Sequence, residues 1–455
     1  MKIYSLLTLL FSSLQLIAQT PEGSWKGEIS AQGMKLKIVF HLEQSNNIWS
    51  GKMDSPDQNA FDIPIEKVAV VKDSVFISDN RIKLNYKGKL QDNQIDGKFT
   101  QGFFSTKLVL TPGKTSKPNR PQTPIGPFNY KEEELIIKNE KDNIELAGTL
   151  TFPKNKKKAP LAILISGSGA QDRDETLFNH KPFAVIADYL TNNGYAVFRF
   201  DDRGTAKSTG DFLKANSFDF ASDVEAILNF FLTRKDINSK QIGLIGHSEG
   251  GLIAGIVAAN NPKIAFVISL AGPGVKGNEI LEVQSYLIGK DMGLPEEQLQ
   301  QAKKINKALY GFIEAEDWKD FDYSADRVIR KYKLIQPEVA TFKNEELIQQ
   351  ILPPNINWFK TFLITNPIDF YNKIKAPVFA INGEKDIQVN YNQNIPPLKQ
   401  SFSNKKSSSK IYPKLNHLFQ HATTGSVNEY KEIEETISPE VLNDIITWLK
   451  NIKIK

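Results

Sequence analysis

Five short runs that are apolar at nearly every position recur at wide intervals through the later part of the chain. They are Ala162-Ile163-Leu164-Ile165, Ala196-Val197-Phe198-Arg199-Phe200, Ile242-Gly243-Leu244-Ile245, Phe266-Val267-Ile268-Ser269-Leu270 and Val378-Phe379-Ala380-Ile381. A strand with one wet face alternates apolar and polar residues, so a strand without that alternation has to be covered on both faces. Between the runs, apolar residues return at three and four spacing, as in Phe183, Ile186, Ala187 and Leu190, and again in Val224, Ile227, Leu228 and Phe231. Such alternation predicts an α/β fold: a doubly wound, mostly parallel sheet with helices on both sides. It stops from 274 to 375, where Leu299, Ala302, Ile305, Leu309 and Ile313 form one helical stripe and Pro353-Pro354 and Pro367 interrupt the chain beyond it. That stretch predicts a helical insertion between two strands, dividing the core into 129–273 and 376–455.

The chain ahead of this core has another rhythm. Over 19–111 apolar and polar residues alternate in short runs, as in Leu36, Ile38, Phe40 and Val75, Ile77, with turn residues such as Asp92-Asn93 between them. Period two with frequent turns predicts a small antiparallel β-barrel or sandwich. Residues 112–128 hold Pro112, Pro118, Pro121, Pro124 and Pro127 among Lys, Thr, Ser and Asn, the composition of a stiff, extended linker. Residues 1–18 carry one early charge, Lys2, then an apolar stretch ending at Ala18, which reads as a cleaved secretory signal. Its apolar part is shorter than the roughly 20 residues a membrane span needs, so stable membrane insertion is not expected. Localisation is expected to be periplasmic or extracellular.

Composition narrows the chemistry. With no cysteine in 455 residues there is no disulfide, no thiolate metal site and no cysteine nucleophile. A net charge of +5 spread over this length gives no concentrated basic field, so nucleic acid is not an expected partner. Five histidines, His41, His180, His247, His417 and His421, are the whole supply for imidazole chemistry.

Gly246-His247-Ser248-Glu249-Gly250 follows an apolar strand directly and runs into the small-residue stretch Gly251-Leu252-Ile253-Ala254-Gly255. A Gly-x-Ser-x-Gly turn between strand and helix marks Ser248 as a nucleophile on a strained backbone above a helix N-terminus. A serine hydroxyl needs a base. His417, in the loop after the last strand-like run, is the choice, with His421 as its rival. His41 belongs to the β domain, His180 reads as a pocket-lining or surface ring, and His247 reads as a ring packed beside the sheet. The orienting acid should fall between serine and base, and Asn382-Gly383-Glu384-Lys385-Asp386 follows a strand there. Asp386 is chosen over Glu384, whose place just past the glycine suits a solvated charge. Oxyanion donors are expected from the backbone amide of Glu249 and, in the loop Ser166-Gly167-Ser168-Gly169-Ala170, from Ser168 or else Gly169. That loop lacks the Lys-Ser/Thr of a nucleotide-binding loop, so a phosphate cradle is disfavoured.

With these residues assembled, 131 to 450 resembles the α/β-hydrolase superfamily. Phe200-Asp201-Asp202-Arg203-Gly204-Thr205-Ala206-Lys207-Ser208 looks like that family's Asp-x-Arg-Gly-x-Gly-x-Ser turn, with Ala206 in place of the second glycine. Ser166-Gly167 stands where the family usually has His-Gly in its oxyanion loop. Together with the β domain in front, the chain is similar to exported bacterial carboxylesterases of the serine-aminopeptidase-like branch. The resemblance implies a cofactor-free, metal-free serine hydrolase with Ser248, Asp386 and His417 as its triad, acting on a small-molecule ester or a short peptide-like substrate. A peptidase or amidase using the same triad and a catalytically silent binding protein are the alternatives. The insertion should cap the pocket, with Tyr286, Tyr310, Phe312, Trp318 and Trp358 as its aromatic surface.

Overall fold

A computed structural model describes residues 20–31, 34–58, 60–102, 104–114 and 119–453; the expected signal segment lies outside them. The chain divides into two compact units, meeting in sequence between Asn119 and Arg120.

The first unit is a nine-stranded antiparallel meander: β1 (Gly23–Ala31), β2 (Met34–Ser45), β3 (Ile48–Ser55), β4 (Ala60–Pro64), β5 (Lys67–Val71), β6 (Ser74–Asp79), β7 (Leu84–Gln91), β8 (Gln94–Gln101) and β9 (Phe104–Pro112). Its sheet order is β4-β3-β2-β1-β9-β8-β7-β6-β5, so the first and last strands pair and the sheet rolls into a half-barrel open between β4 and β5. Residues along β7 are buried and exposed by turns, the period-two pattern of a one-sided sheet. The inward set includes Phe40, Leu42, Val75, Tyr86, Ile95 and Phe99. The Tyr86 hydroxyl donates to the Ile95 carbonyl at 2.9 Å, which satisfies a polar group carried into that interior.

The second unit holds an eight-stranded sheet of β10 (Tyr130–Asn139), β11 (Ile144–Pro153), β12 (Ala159–Ile165), β13 (Ala196–Phe200), β14 (Ile237–His247), β15 (Ile264–Leu270), β16 (Val378–Gly383) and β17 (Ser408–Tyr412), in the order β10-β11-β13-β12-β14-β15-β16-β17. All pairings from β13 to β17 are parallel; β10 and β11 add an antiparallel edge. Helices α1 (Pro182–Asn192), α2 (Ser217–Thr233) and α3 (Glu249–Asn260) connect the first parallel strands. The insertion then supplies α4 (Gly277–Asp291), α5 (Glu296–Ala315), α6 (Phe321–Ile335), α7 (Asn344–Ile351), α8 (Ile356–Ile364) and α9 (Ile368–Tyr371), before α10 (Tyr391–Ser401) and α11 (Pro439–Asn451) finish the core. Phe183, Ile186 and Leu190 of α1 share one core with Ile445 and Leu449 of α11. Val224, Ile227 and Phe231 of α2 and Leu252 and Ile256 of α3 share the other, on the opposite face. Each fully buried side chain of this size stabilises the fold by about 1.5–3 kcal/mol relative to exposure, which is why these two helical faces hold the sheet.

From β12 the chain steps one way to β13 and then returns past β12 to β14. At such a reversal the loops leaving two neighbouring strands part, and a crevice opens beyond their C-terminal ends. The loops leaving β12 and β14 begin at Ser166 and Ser248.

The structure departs from the sequence-based expectation in two places. The Pro-rich stretch is not a free linker along its whole length. The Arg120 guanidinium donates to the carbonyls of Phe178 (3.0 Å), Lys431 (2.9 Å) and Ile433 (2.8 Å), and Gln122 is bonded both ways to the 436–437 backbone. Strap-like, it belongs to the second unit from Arg120 onward. The antiparallel pair β10 and β11 is also additional to the strands expected, because β10 is a largely exposed edge strand whose apolar run is only three residues, Leu135-Ile136-Ile137, after three glutamates. Among the described residues no helix is long and apolar enough to cross a membrane.

Candidate active site

β14 ends at His247 and α3 begins at Glu249, which leaves Ser248 between them at φ +52° and ψ −122°. An L residue with positive φ is strained and persists only where its surroundings over-determine it. The flanking glycines supply that constraint: a Cβ on Gly246 would strike the Gly250 carbonyl, and one on Gly250 would strike the carbonyls of Ile165 and Ser166. The Ser248 amide donates to the Leu270 carbonyl at 2.8 Å, so strand pairing continues up to the turn itself.

Asp386 is buried, and its Oδ1 accepts the amides of Gln388 and Val389 at 2.8 Å each. Its Oδ2 lies 2.7 Å from Nδ1 of buried His417. A carboxylate facing only donors accepts from Nδ1–H, which leaves Nε2 of His417 as the basic nitrogen. Ser248 and His417 line one cavity of about 240 Å³. Glu384 is exposed, and the exposed ring of His421 pairs with Glu435 at 2.8 Å.

Ser168 lines the same cavity, whereas Gly169 lines a separate small one beside Asp202 and Phe220. Asp202 fixes this loop from beneath, accepting Ser166 Oγ–H at 2.7 Å and the Gln171 amide at 2.9 Å. Burial pushes its carboxyl up to about 8. Next to it, Asp201 takes Arg173 in a two-point ion pair, and Arg203 is sunk between Asp223 and Asp142. The Asp201-Asp202-Arg203 turn is thus a brace for the loop.

The Glu249 side chain is buried as well. It accepts from Ser168 Oγ at 2.8 Å, Ser217 Oγ at 2.6 Å and Trp358 Nε1 at 2.9 Å, so one carboxylate ties the loop after β12, α2 and helix α8 of the insertion together. Burial raises its pKa, and these donors work against the rise. Asn355 caps α8 at its N-terminus and reaches the carbonyls of Phe212 and Ala215, which fixes the same helix at a second point.

Two expectations about side chains, His180 and the cap aromatics, are overturned, and a third, His247, is extended. His180 is neither at the surface nor in the cavity: it is buried against Thr436 and the Tyr430 carbonyl, and burial pushes its pKa down to about 4. His247 is a buried, packed ring as expected, and it also lines the cavity, between Glu175 Oε1 (2.9 Å) and the His417 carbonyl (3.1 Å). Of the five expected cap aromatics only Trp358 lines the cavity. Trp318 is buried with its Nε1 on the Ile313 carbonyl, Tyr310 and Phe312 pack in the cap's own core, and Tyr286 bonds Glu296. The cap residues that do reach the cavity are Ile280, Leu281 and Gln284 of α4 and Trp358 and Phe362 of α8. The i, i+4 spacing within Ile280/Gln284 and Trp358/Phe362 is the signal that sequence offers for them. Glu175 and Asp202 carry none, because their partners are distant in sequence. Among the described residues no group of His, Asp and Glu side chains converges to hold a metal ion.

Residues 180–423, more than half of the chain, match the family model described as serine aminopeptidase, S33. Esterase EstD of Thermotoga maritima is 22% identical over 329 residues, which cover 71% of this chain and 69% of that protein. Among solved structures, the α/β hydrolase GrgF from Penicillium is 18% identical over 70% of this chain and 98% of its own, with a TM-score of 0.44. The ferulic acid complex of Est1E from Butyrivibrio proteoclasticus is 18% identical over 70% and 97%, with a TM-score of 0.42. With the family model covering more than half of the chain, including Ser248, Asp386 and His417, the chain belongs to the serine aminopeptidase S33 family of α/β-hydrolases.

Proposed function

We propose that this protein is an exported carboxylesterase in which Ser248, His417 and Asp386 form the catalytic triad. The observation that carries the reading is the 2.7 Å bond between His417 and Asp386 beside the cavity that Ser248 also lines. Ser248 Oγ attacks the ester carbonyl as His417 Nε2 takes its proton, and Asp386 stabilises the imidazolium that results. The amides of Glu249 and Ser168 receive the oxyanion; Gly169 faces the neighbouring cavity and is not used. His417 then protonates the leaving alcohol, and the acyl-enzyme is cleared by water that His417 deprotonates in turn.

An aminopeptidase would need a carboxylate to receive the substrate's α-ammonium. The two carboxylates lining the cavity are already engaged, Glu249 by two serine hydroxyls and an indole, Glu175 by the Gly167 amide and His247. This favours a small neutral ester over a peptide amine. EstD, called an esterase, is consistent with that choice.

Fluorophosphonate labelling and hydrolysis of short-acyl p-nitrophenyl esters test the reading, with Ser248→Ala as the control. Loss of both in a folded Ser248→Ala protein is expected, with turnover down on the order of a million-fold. Retention of more than about a tenth of wild-type turnover in that variant would sink the mechanism.

A further inference from the structure

His247 makes two hydrogen bonds, and both of its partners are acceptors. Nδ1 faces Glu175 Oε1 at 2.9 Å, and Nε2 faces the main-chain carbonyl of His417 at 3.1 Å. A neutral imidazole has one N–H and one bare nitrogen, so it satisfies one of these partners and turns a lone pair on the other. Nor does Glu175 supply the missing proton at that atom, because the same Oε1 accepts the Gly167 amide at 2.8 Å, as an ionised carboxylate oxygen does. Only the imidazolium, a donor at both nitrogens, fits the site.

The pair joins three segments that the proposed mechanism uses. Glu175 holds the oxyanion loop through Gly167, His247 is the residue before the nucleophile, and the carbonyl it grips belongs to the base. The two histidine rings lie 4.8 Å apart between centroids. Resting on the esterase reading above, we propose that His247, held as an imidazolium by Glu175, is a positioning residue that fixes the base loop and the oxyanion loop together, and that its deprotonation disables the enzyme on the alkaline side.

The surroundings agree. α1 presents Pro182, Phe183 and Ile186 to this pocket, β15 presents Leu270, and the base loop presents Leu418 and Phe419, all of them apolar. The titratable groups facing His247 are Glu175, His417 and, beyond it, Asp386. Burial alone would push the His247 pKa down, but the Glu175 charge and hydrogen bond and the His417 carbonyl carry it above the ordinary histidine value. Below that raised pKa the imidazolium donates to both loops; above it one nitrogen becomes bare, and its lone pair opposes the His417 carbonyl or the Glu175 carboxylate.

The test is the pH dependence of kcat/KM for a short-acyl p-nitrophenyl ester in wild type and in Glu175→Gln, from about pH 5 to about pH 10. The amide is isosteric and its oxygen still accepts the Gly167 N–H, but the anion that sustains the imidazolium is gone. The alkaline limb is expected to move to lower pH by roughly one to three units. An alkaline limb at the same pH in both proteins overturns the proposal. Removing one member of a buried ion pair also threatens the fold, so a second measurement uses the wild-type protein alone. In protein labelled with ¹⁵N-histidine, the His247 resonances, assigned by their absence in His247→Gln, are expected to show both ring nitrogens protonated at neutral pH; a single protonated nitrogen overturns the proposal. Fluorophosphonate labelling separates the two readings. Loss of Ser248-dependent labelling in wild type rejects the esterase mechanism, whereas intact labelling with an unmoved alkaline limb rejects only the role given to His247.

Discussion

Single residues divide sharply into those the proposed reaction needs and those that merely lie nearby. His417→Ala is expected to match Ser248→Ala in severity because triad members act as one unit, and His421→Ala, which loses only a rim pair with Glu435, should leave kcat nearly intact. Asp386→Asn reverses the hydrogen-bonding sense at Nδ1 and should lower kcat about 10⁴-fold, whereas exposed Glu384→Gln should be mild. Steady-state kinetics on the four variants decides both contrasts. Asp202 bears on stability instead. Its folded carboxyl titrates near 8 against an ordinary 3.8, so the native state holds the proton longer than the unfolded chain does. Its contribution to stability is complete below the unfolded value and is lost as pH rises through the folded one. Asp202→Asn should therefore gain Tm relative to wild type between about pH 5 and about pH 8, with the gap widening as pH rises. A pH-independent Tm difference between the two proteins would contradict this.

At the level of elements, α8 is tied to the core by the Trp358 indole and by its cap residue Asn355. Trp358→Phe keeps the ring against Phe362 but removes the N–H that Glu249 accepts, leaving a buried carboxylate short of a donor. Such a loss typically costs about 1–3 kcal/mol. KM is expected to rise and the preference across acyl chain lengths to change, with Ser248 labelling retained; an unaltered chain-length profile would assign specificity to the loop from Gln171 to Glu175. The elements themselves differ in how far sequence reveals them. Continuous apolar runs announce β12 to β16 because a strand covered on both faces has no polar side to display, and the glycine-flanked serine announces the elbow because only glycine clears its neighbours. β10 escapes notice because an edge strand follows no such rule, and the cap's pocket lining is misjudged because helical periodicity tells which residues share a face, not which neighbour that face meets. Glu175 and His247 are 72 positions apart, and no local pattern reports a partner at that distance.

Taken whole, the molecule has cores without shared residues, one in the rolled β sheet and others in the hydrolase unit. If exported as proposed, the protein should begin at Gln19, which mass spectrometry of protein from its native host would read, and it should melt in two calorimetric transitions. A polypeptide of 120–455 should reproduce one of those transitions and keep Ser248 labelling; a single merged transition would show that the units fold as one. The strap at Arg120 adds a consequence of a mechanical kind. Any tension applied along the chain through the β unit arrives first at a guanidinium clamped to three carbonyls and an amide side chain bonded to a fourth. The strap is thus a strain relief ahead of β10: load is shunted to Phe178 and the 431–437 segment, and the central parallel strands that carry Ser248 remain out of the line of force until those bonds have failed.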